Sequence, residues 1–466
     1  MADGTQNHSR DLTRGPVGRA LWRVSAPMSI GILGVLSVGL ADAAFLARAG
    51  DVPLTAIGFI YPVIVALTSL SIGLGAGTSA VVSQTLGRDG DDDARAARLA
   101  LHSLIFAATL ATVAALSFWL AAPMIFPLMG AQGAVLEAVL AYVPWWCASF
   151  VPMVAGMGLN AVFRAGGESH IAATVMVTQS LINIALDPVF IFGLAMIPAL
   201  DTEGAGIATF IARVLGFAGL FAFALKSGRV SLSRNCLKGI GDSLHRIARI
   251  GGPAAASNAI NPLGLSLVTS AAATLGDAAV AGFGAATRLQ SLLFVPMLAL
   301  SAGIGPVVGQ AWGAEKVERA QAAVRLTFLC CLGYGAALAG AMMVAAPWLG
   351  ALMTDGGDAA GHATTYLRWG SLGFFGYGIL VTANAAMNAR DRALWSMGLS
   401  ASRIALVYVP LAWGGALLFG FGGIVGAFVA ANLWAVLGAL ILCRKADLLE
   451  VRLRPIRRAA AQMPLN

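Results

Sequence analysis

The sequence predicts an all-α integral membrane protein: twelve transmembrane helices in two six-helix lobes related by an internal parallel repeat. Three observations carry that reading. Apolar residues make up 58% of the 466 residues and charged residues only 11%, with a mean hydropathy of +0.80, the balance of a polytopic membrane protein. Twelve apolar segments of spanning length follow one another. The second half repeats the first at a fixed offset.

The segments fall at 20–46, 54–87, 98–122, 134–163, 170–193, 204–226, 245–274, 280–312, 322–348, 364–388, 394–418 and 423–443, each long enough to cross a hydrocarbon core. The first twenty residues are polar and lack a small-residue cleavage site, so the first span reads as a retained anchor. The organisation expected is a tail at 1–16, a first lobe at 17–227, a linker at 228–243, a second lobe at 244–446 and a tail at 447–466.

Charge sets the orientation. Counting both tails and the loops after spans two, four, six, eight and ten, one face collects 26 of the 30 Lys and Arg. Arg390, Arg392 and Arg403 are counted with the loop after span ten. Arg48, Arg213, Arg288 and Arg368 lie elsewhere, and the opposite loops carry Glu137, Asp201, Glu203, Asp277, Asp355 and Asp358. The positive-inside rule then puts both termini in the cytoplasm of a bacterial inner membrane, which requires an even number of spans. No basic stripe interleaved with aromatics suggests nucleic acid. Cys147, Cys236, Cys330, Cys331 and Cys443 show neither disulfide nor metal spacing.

A shift of 226 residues superposes Pro27 on Pro253, Gly50-Asp51 on Gly276-Asp277, and Gly77 on Gly303. It also lays Val81-Val82-x-Gln84-x-x-Gly87 over Val307-Val308-x-Gln310-x-x-Gly313. Six spans per copy make both halves enter the membrane in the same sense, which gives two lobes about an axis along the membrane normal.

Buried acids single out one stretch, LINIALDPVFIF from Leu181 to Phe192. Asn183 and Asp187 are one helical turn apart on one face, and Pro188 removes a backbone donor beside the carboxylate. A carboxylate in a span is a functional candidate by default. Asp42 in span one is its expected partner, whereas the repeat puts Val268 at the matching place in the second half. Other motifs read as structure. Gly73-x-Gly75-x-Gly77 sits inside a span, where close helix packing explains it better than a phosphate loop. Asp91-Asp92-Asp93 precedes a helix whose N-terminus favours negative charge. His102 reads as a membrane-interface residue, and Asn258 and Asn261 as either cavity lining or helix glue. No Ser/His/Asp arrangement, metal cluster or phosphate loop supports an enzyme.

The chain resembles the multidrug and toxic compound extrusion (MATE) family over about residues 17–445. The resemblance rests on Leu40-Ala41-Asp42-Ala43, Gly77-Thr78-x-Ala80-x-Val82-Ser83-Gln84-x-x-Gly87 and Asn160-x-x-x-Arg164-x-Gly166-Gly167. Asn183-x-x-x-Asp187-Pro188 and Gly204-x-Gly206-Ile207-Ala208-Thr209 complete it. In the DinF-like branch it implies a cation-coupling cluster mapping to Asp42, Asn183, Asp187 and Thr209, and a first helix that bends at Pro27. The NorM-like branch adds acids in spans seven and ten. Here those spans read PAAASNAINPLGLSLV and FFGYGILVTANAAMNA, which argues against coupling in the second lobe.

Span ends place Asp42, Asp187 and Thr209 at one level, roughly 6–9 Å inside the outer boundary. Two carboxylates in a low-dielectric pocket disfavour ionising together, so an external proton or sodium would neutralise the pair and let the helices repack. Arg213, one turn past Thr209, is a candidate modulator of their pKa; reaching Asp187, it would favour protons over sodium. The expected function is a cation-coupled multidrug efflux antiporter, proton preferred and sodium allowed. It would export amphipathic or cationic compounds by rocker-switch alternating access, with membrane lipids as surroundings and a monomer as the state. No cofactor beyond H+ or Na+ is expected. The alternative is a lipid-linked precursor flippase of the same superfamily, for which Arg213, Arg288 and Arg368 would be the cavity cations.

Overall fold

The computed structural model describes residues 11–89, 93–194, 198–232, 236–354 and 356–450. The acidic pair Asp91-Asp92 and the terminal basic residues Arg10 and Arg452–Arg458 lie outside them. Six helices build the first lobe: α1 (Val17–Ala49), α2 (Asp51–Asp89), α3 (Asp93–Leu128), α4 (Gly133–Ala165), α5 (Ser169–Ile191) and α6 (Asp201–Lys226). The second lobe opens with α7 (Ile240–Ala273), α8 (Asp277–Leu293), α9 (Val295–Gly313) and α10 (Val317–Met353). Span ten is interrupted: α11 (Gly357–Thr365) passes through a π-helical turn at Tyr366–Gly370 and a 3₁₀ turn at Ser371–Gly373 into α12 (Phe374–Ala389). Span eleven joins α13 (Ala393–Ala401) to α14 (Val409–Phe419) through a second π-helical segment, Ser402–Tyr408, and α15 (Phe421–Lys445) is span twelve.

Ten helices among the described residues are long and apolar enough to cross a membrane. The 34-residue α7 and the interrupted span ten supply the remaining two of the twelve spans. The sequence boundaries differ from these by a few residues, chiefly because helix ends continue into polar turns that hydropathy excludes. Pro27 lies inside α1, which stays helical from Val17 to Ala49.

Local chemistry explains the turns. Gly166 and Gly167 close α4: the N–H of Gly166 reaches the Val162 carbonyl at 3.1 Å and that of Gly167 the Arg164 carbonyl at 2.9 Å. Gly167 has φ +73°, a conformation that penalises a Cβ, and an added Cβ would lie 2.8 Å from Arg23 Nη2. The following Glu168 forms an ion pair with Arg229. Arg229 is thus buried against α4 and α5, although the sequence counted it among loop cations.

The lobes meet along the basic face, and they do so reciprocally. Gln84 of α2 donates through Nε2 to the Ala389 carbonyl at 2.7 Å, and Gln310 of α9 donates through Nε2 to the Ala165 carbonyl at 2.7 Å. Donors and acceptors are repeat mates, separated by 226 and 224 positions. Gly87 lies against the Gln310 backbone and Gly313 against the Gln84 backbone, each where a Cβ would collide. Further along the seam Gly73 receives Ala255, Gly77 receives Ile247, and Gly303 receives Ser25. The glycine spacing read as close packing is therefore the lobe-to-lobe seam.

Residues before α1 strap this face. The Leu12 N–H donates to Gln310 Oε1 at 2.8 Å, and Arg319 grips the carbonyls of Leu12, Arg14 and Gly15. Toward the far face the apolar interior divides. One buried cluster is made of first-lobe residues from Leu46 to Ala205, another of second-lobe residues from Val268 to Ala431, and among the described residues no buried apolar cluster joins the lobes there. Two larger clusters that mix lobes, around Val24 with Ile304 and around Phe163 with Ile250, lie toward the basic side, and a small one joins Met28 and Ala172 to Ala299.

Two readings need correction. Arg403 is not a loop cation: it lies ten positions past the start of α13, is 3% exposed, and sits in the π-helical segment. His102 is no interface residue: it is buried, its Nδ1 is 2.9 Å from Ser243 Oγ and its Nε2 is 2.6 Å from the Cys236 carbonyl, so it ties α3 to the inter-lobe linker.

Gly87→Ile is expected to wedge the seam open. In an otherwise cysteine-free chain, Ser83→Cys should then react with a maleimide that leaves the parent unlabelled, because Ser83 is fully buried against Gly309. Burial opposes the Asp11 charge, but bonds from Thr13 and the nearby Arg14 and Lys316 hold its carboxyl below the usual carboxylate range. A depressed folded-state value means that its contribution is present above the unfolded value of about 3.9 and fades as pH falls through the folded one. Asp11→Asn should therefore speed hydrogen exchange of the amides from Leu12 to Gly15 at neutral pH, and the difference from the parent should shrink below about pH 4.

Candidate functional site

The polar cluster of the first lobe is assembled from four helices. The glycines of the Gly204-x-Gly206 motif let α6 approach its neighbours: Gly204 abuts the Phe190 carbonyl of α5, and a Cβ on Gly206 would stand 3.3 Å from the Tyr142 ring of α4. That approach delivers Thr209 to α5. Asn183 Nδ2 donates to Thr209 Oγ1 at 3.4 Å and to Asp187 Oδ1 at 3.5 Å. Asp187, Asn183 and Thr209 are 0%, 3% and 8% exposed. Pro188 leaves the Ile184 carbonyl without its helical N–H partner beside the carboxylate.

Asp42 reaches the same point from α1. Gly31 and Gly34 seat α1 along α5, facing Ala173 and Val177, and carry Asp42 to the level of Asp187. The two carboxyl groups are within hydrogen-bonding reach of each other. The sequence-predicted residues of the cluster are thus brought together: Asp42 meets Asp187, and Asn183 joins Asp187 to Thr209.

Three buried oxygens here have no hydrogen-bond partner among the described residues: Asp42 Oδ1, Asn183 Oδ1 and Asp187 Oδ2. All are acceptors. Ionised carboxylates only accept hydrogen bonds, so this contact is satisfied by a proton on one carboxyl or by a cation among the oxygens. The arrangement fits a small hard cation as well as it fits protons.

Arg213 departs from its expected contact. No ion pair within 4 Å joins it to Asp187. Its Nη1 donates to Ser149 Oγ at 2.7 Å, and its guanidinium stands 5.9 Å from the Trp146 ring centroid. Both partners belong to α4 and draw the side chain away from Asp187, while its charge acts on Asp42 and on Tyr142. Tyr142, 4% exposed, is the member that sequence reasoning missed. A tyrosine within the apolar AYVPWW run reads as core, and only the close approach at Gly206 reveals its place.

A family profile for MatE matches this chain twice, over residues 27–189 and 253–413. The two matches begin 226 positions apart, one on each lobe. The chain belongs to the MatE family. Among relatives of this MatE chain, the FAD transporter of Shewanella oneidensis is 31% identical and aligns with 91% of this chain and 93% of its own. The multidrug export protein MepA of Staphylococcus aureus is 25% identical over 92% of this chain and 94% of its own. The crystal structure of the Vibrio cholerae MATE transporter VcmN in the bent form superposes with a TM-score of 0.85 at 27% identity, covering 96% of this chain and 100% of that one. Membership makes this a multi-pass membrane transporter of the multidrug efflux family.

Asn183→Leu would deprive both Thr209 and Asp187 of their shared donor, a loss of about 1–3 kcal/mol for a buried polar group left unpaired. Because Thr209→Val removes one arm of the same amide contact, the double variant should be less destabilised than the sum of the singles, by about 0.5–1.5 kcal/mol. Thermal unfolding in detergent measures the cycle, and strict additivity would disconnect the two residues.

Proposed function

We propose that this MatE chain is a cation-coupled antiporter that exports small organic compounds, with Asp42, Asn183, Asp187 and Thr209 as its coupling site. The carrying observation is the approach of the half-buried Asp42 carboxyl to the fully buried Asp187 carboxyl, where Asp42 Oδ1, Asp187 Oδ2 and Asn183 Oδ1 have no hydrogen-bond partner among the described residues. A proton or sodium arriving there removes the repulsion of the pair and the cost of burying charge. α1 is the element that responds. It bears Asp42, rests on α5 through small residues that allow sliding, and carries Pro27, where the missing N–H gives a helix its natural hinge. Loss of the ion toward the cytoplasm resets the site.

The basic face is read as cytoplasmic, so the closed seam there and the divided interior on the far side correspond to an outward-facing state. In the rocker-switch cycle the reciprocal Gln84 and Gln310 contacts break as the lobes tilt. Protons remain the preferred ion and sodium the alternative; the positive charge of Arg213, which acts on Asp42, opposes either cation and does not choose between them. The flippase alternative finds less support, since relatives over more than nine-tenths of the chain are named for multidrug export or for FAD transport.

Two substrate classes follow from those names. MepA favours drug-like compounds, as the sequence suggested. The 31% identical relative favours an aromatic nucleotide such as FAD, which is anionic.

The experiment is dye efflux from a bacterium stripped of its own exporters, with pH gradient and sodium varied separately. Asp42→Asn and Asp187→Asn should each cut gradient-driven ethidium efflux at least about tenfold at unchanged expression, an energy of about 1.4 kcal/mol or more. Normal transport by either variant would remove the carboxyl pair from the coupling site. A rate that follows sodium at fixed pH, and not the proton gradient, would reassign the ion.

A further inference from the structure

The second lobe holds a buried cation with no acidic side chain paired to it among the described residues. Arg403 is 3% exposed and sits in the π-helical segment Ser402–Tyr408. Its Nε donates to Asn432 Oδ1 at 3.1 Å and its Nη1 to Asn261 Oδ1 at 3.0 Å. The rings of Tyr377 and Tyr408 lie 5.7 and 5.9 Å from the guanidinium carbon. These neighbours are neutral, and the two hydrogen bonds use two of its five N–H donors. The acids of the second half lie in loops or at span ends, so no carboxylate of this lobe can serve as counter-ion within the bundle. A charge held at mid-membrane by neutral partners alone marks a pathway or a ligand site.

Three further observations converge on the same place. The amide Nδ2 of Asn432, on a side chain 0% exposed, has no hydrogen-bond partner among the described residues. Both π-helical segments of the described residues deliver side chains here, Tyr366 from one and Arg403 with Tyr408 from the other, and such irregular turns accompany functional sites. Glycines open the approach: Gly264 abuts Ile404, and Gly373 and Gly376 face Asn432. The rim is Asn261, partly exposed on α7, six positions past the Ala255 that Gly73 receives across the seam. The cluster therefore lies just beyond the point where the lobes part. At the carboxyl cluster of the first lobe the unmatched atoms are the acceptors Asp42 Oδ1, Asn183 Oδ1 and Asp187 Oδ2; here Asn432 Nδ2 is a donor.

We propose that Arg403, with Asn432, Asn261 and Tyr408, forms an anion-binding subsite of the second lobe that takes the phosphate or carboxylate group of an organic solute. The proposal rests on the exporter reading above and names its substrate class: compounds carrying an anionic group, with the first lobe left to the coupling ion. The negative charge missing from this bundle arrives with the cargo.

Equilibrium binding to the purified full chain in a neutral detergent tests it, with fluorescence anisotropy of fluorescein, an aromatic anion, and of ethidium, a cation. Arg403→Gln should weaken fluorescein at least tenfold and leave ethidium within twofold. Because removing Arg403 can unfold the lobe, Asn432→Asp is the second variant: it sets a carboxylate on the guanidinium, keeps the packing, and should cause the same selective loss. Fluorescein binding unchanged in the folded Asn432→Asp protein would overturn the proposal, leaving Arg403 a structural pin. Displacement of fluorescein by inorganic phosphate at equal affinity would also overturn it, by showing a site for free inorganic anions. Binding needs no gradient, so the two readings fail separately. A chain that binds fluorescein through Arg403 but drives no efflux refutes only the exporter reading.

Discussion

Hydrocarbon cannot solvate charge, and that constraint organises this molecule. Every ionisable group inside the bundle must find its answer within a few ångströms or borrow one from a visitor. Most polar side chains in the spans are answered by the fold itself. Ser and Thr hydroxyls return to carbonyls one turn back, Glu168 meets Arg229, and His102 bridges a helix to the linker. Two places combine buried ionisable groups with unpartnered atoms close by: the carboxyl pair of the first lobe, and the guanidinium of the second lobe among amides and phenols. Their shortfalls have opposite sign.

The scaffold around them is nearly symmetric. The same glycines, glutamines and terminal carbonyls recur at one offset and make a seam whose two halves are copies. Symmetry in the frame and asymmetry in the buried charges divide the labour: contacts that hold the lobes together come in pairs, while contacts suited to ions and cargo come singly. Glycines at the seam allow backbone-to-backbone approach, so the lobes touch through surfaces with few side-chain rotamers to reorder when they part.

Much of this was legible in the residues. The twelve spans, the repeat and the Asn183–Asp187 pair follow from hydropathy, offset and helical period, because those patterns are imposed directly by the bilayer and the helix. Thr209 was legible through its motif and depth. Tyr142 was not, since a tyrosine in an apolar run looks like core until the partner helix is placed. Arg403 was misread because it stands only ten residues from a loop, and a π-helical turn rotates it inward in a way that a period of 3.6 does not anticipate. Arg213 faces as its spacing implied, but Ser149 and Trp146 on a neighbouring helix decide where its guanidinium rests. Gln84 and Gln310 were visible as repeat mates, whereas their role appears only when each is seen to reach the other lobe.

The paired glutamine contacts carry a mechanical consequence. Two equal ties placed on opposite sides of a central axis exert no net torque, so the closed face bears load evenly. Severing one leaves the load on its twin, on the glycine contacts along the seam and on the strap before α1. Were the lobes to rock as proposed, ties related by the axis would let go as a pair, which favours a short-lived half-open state.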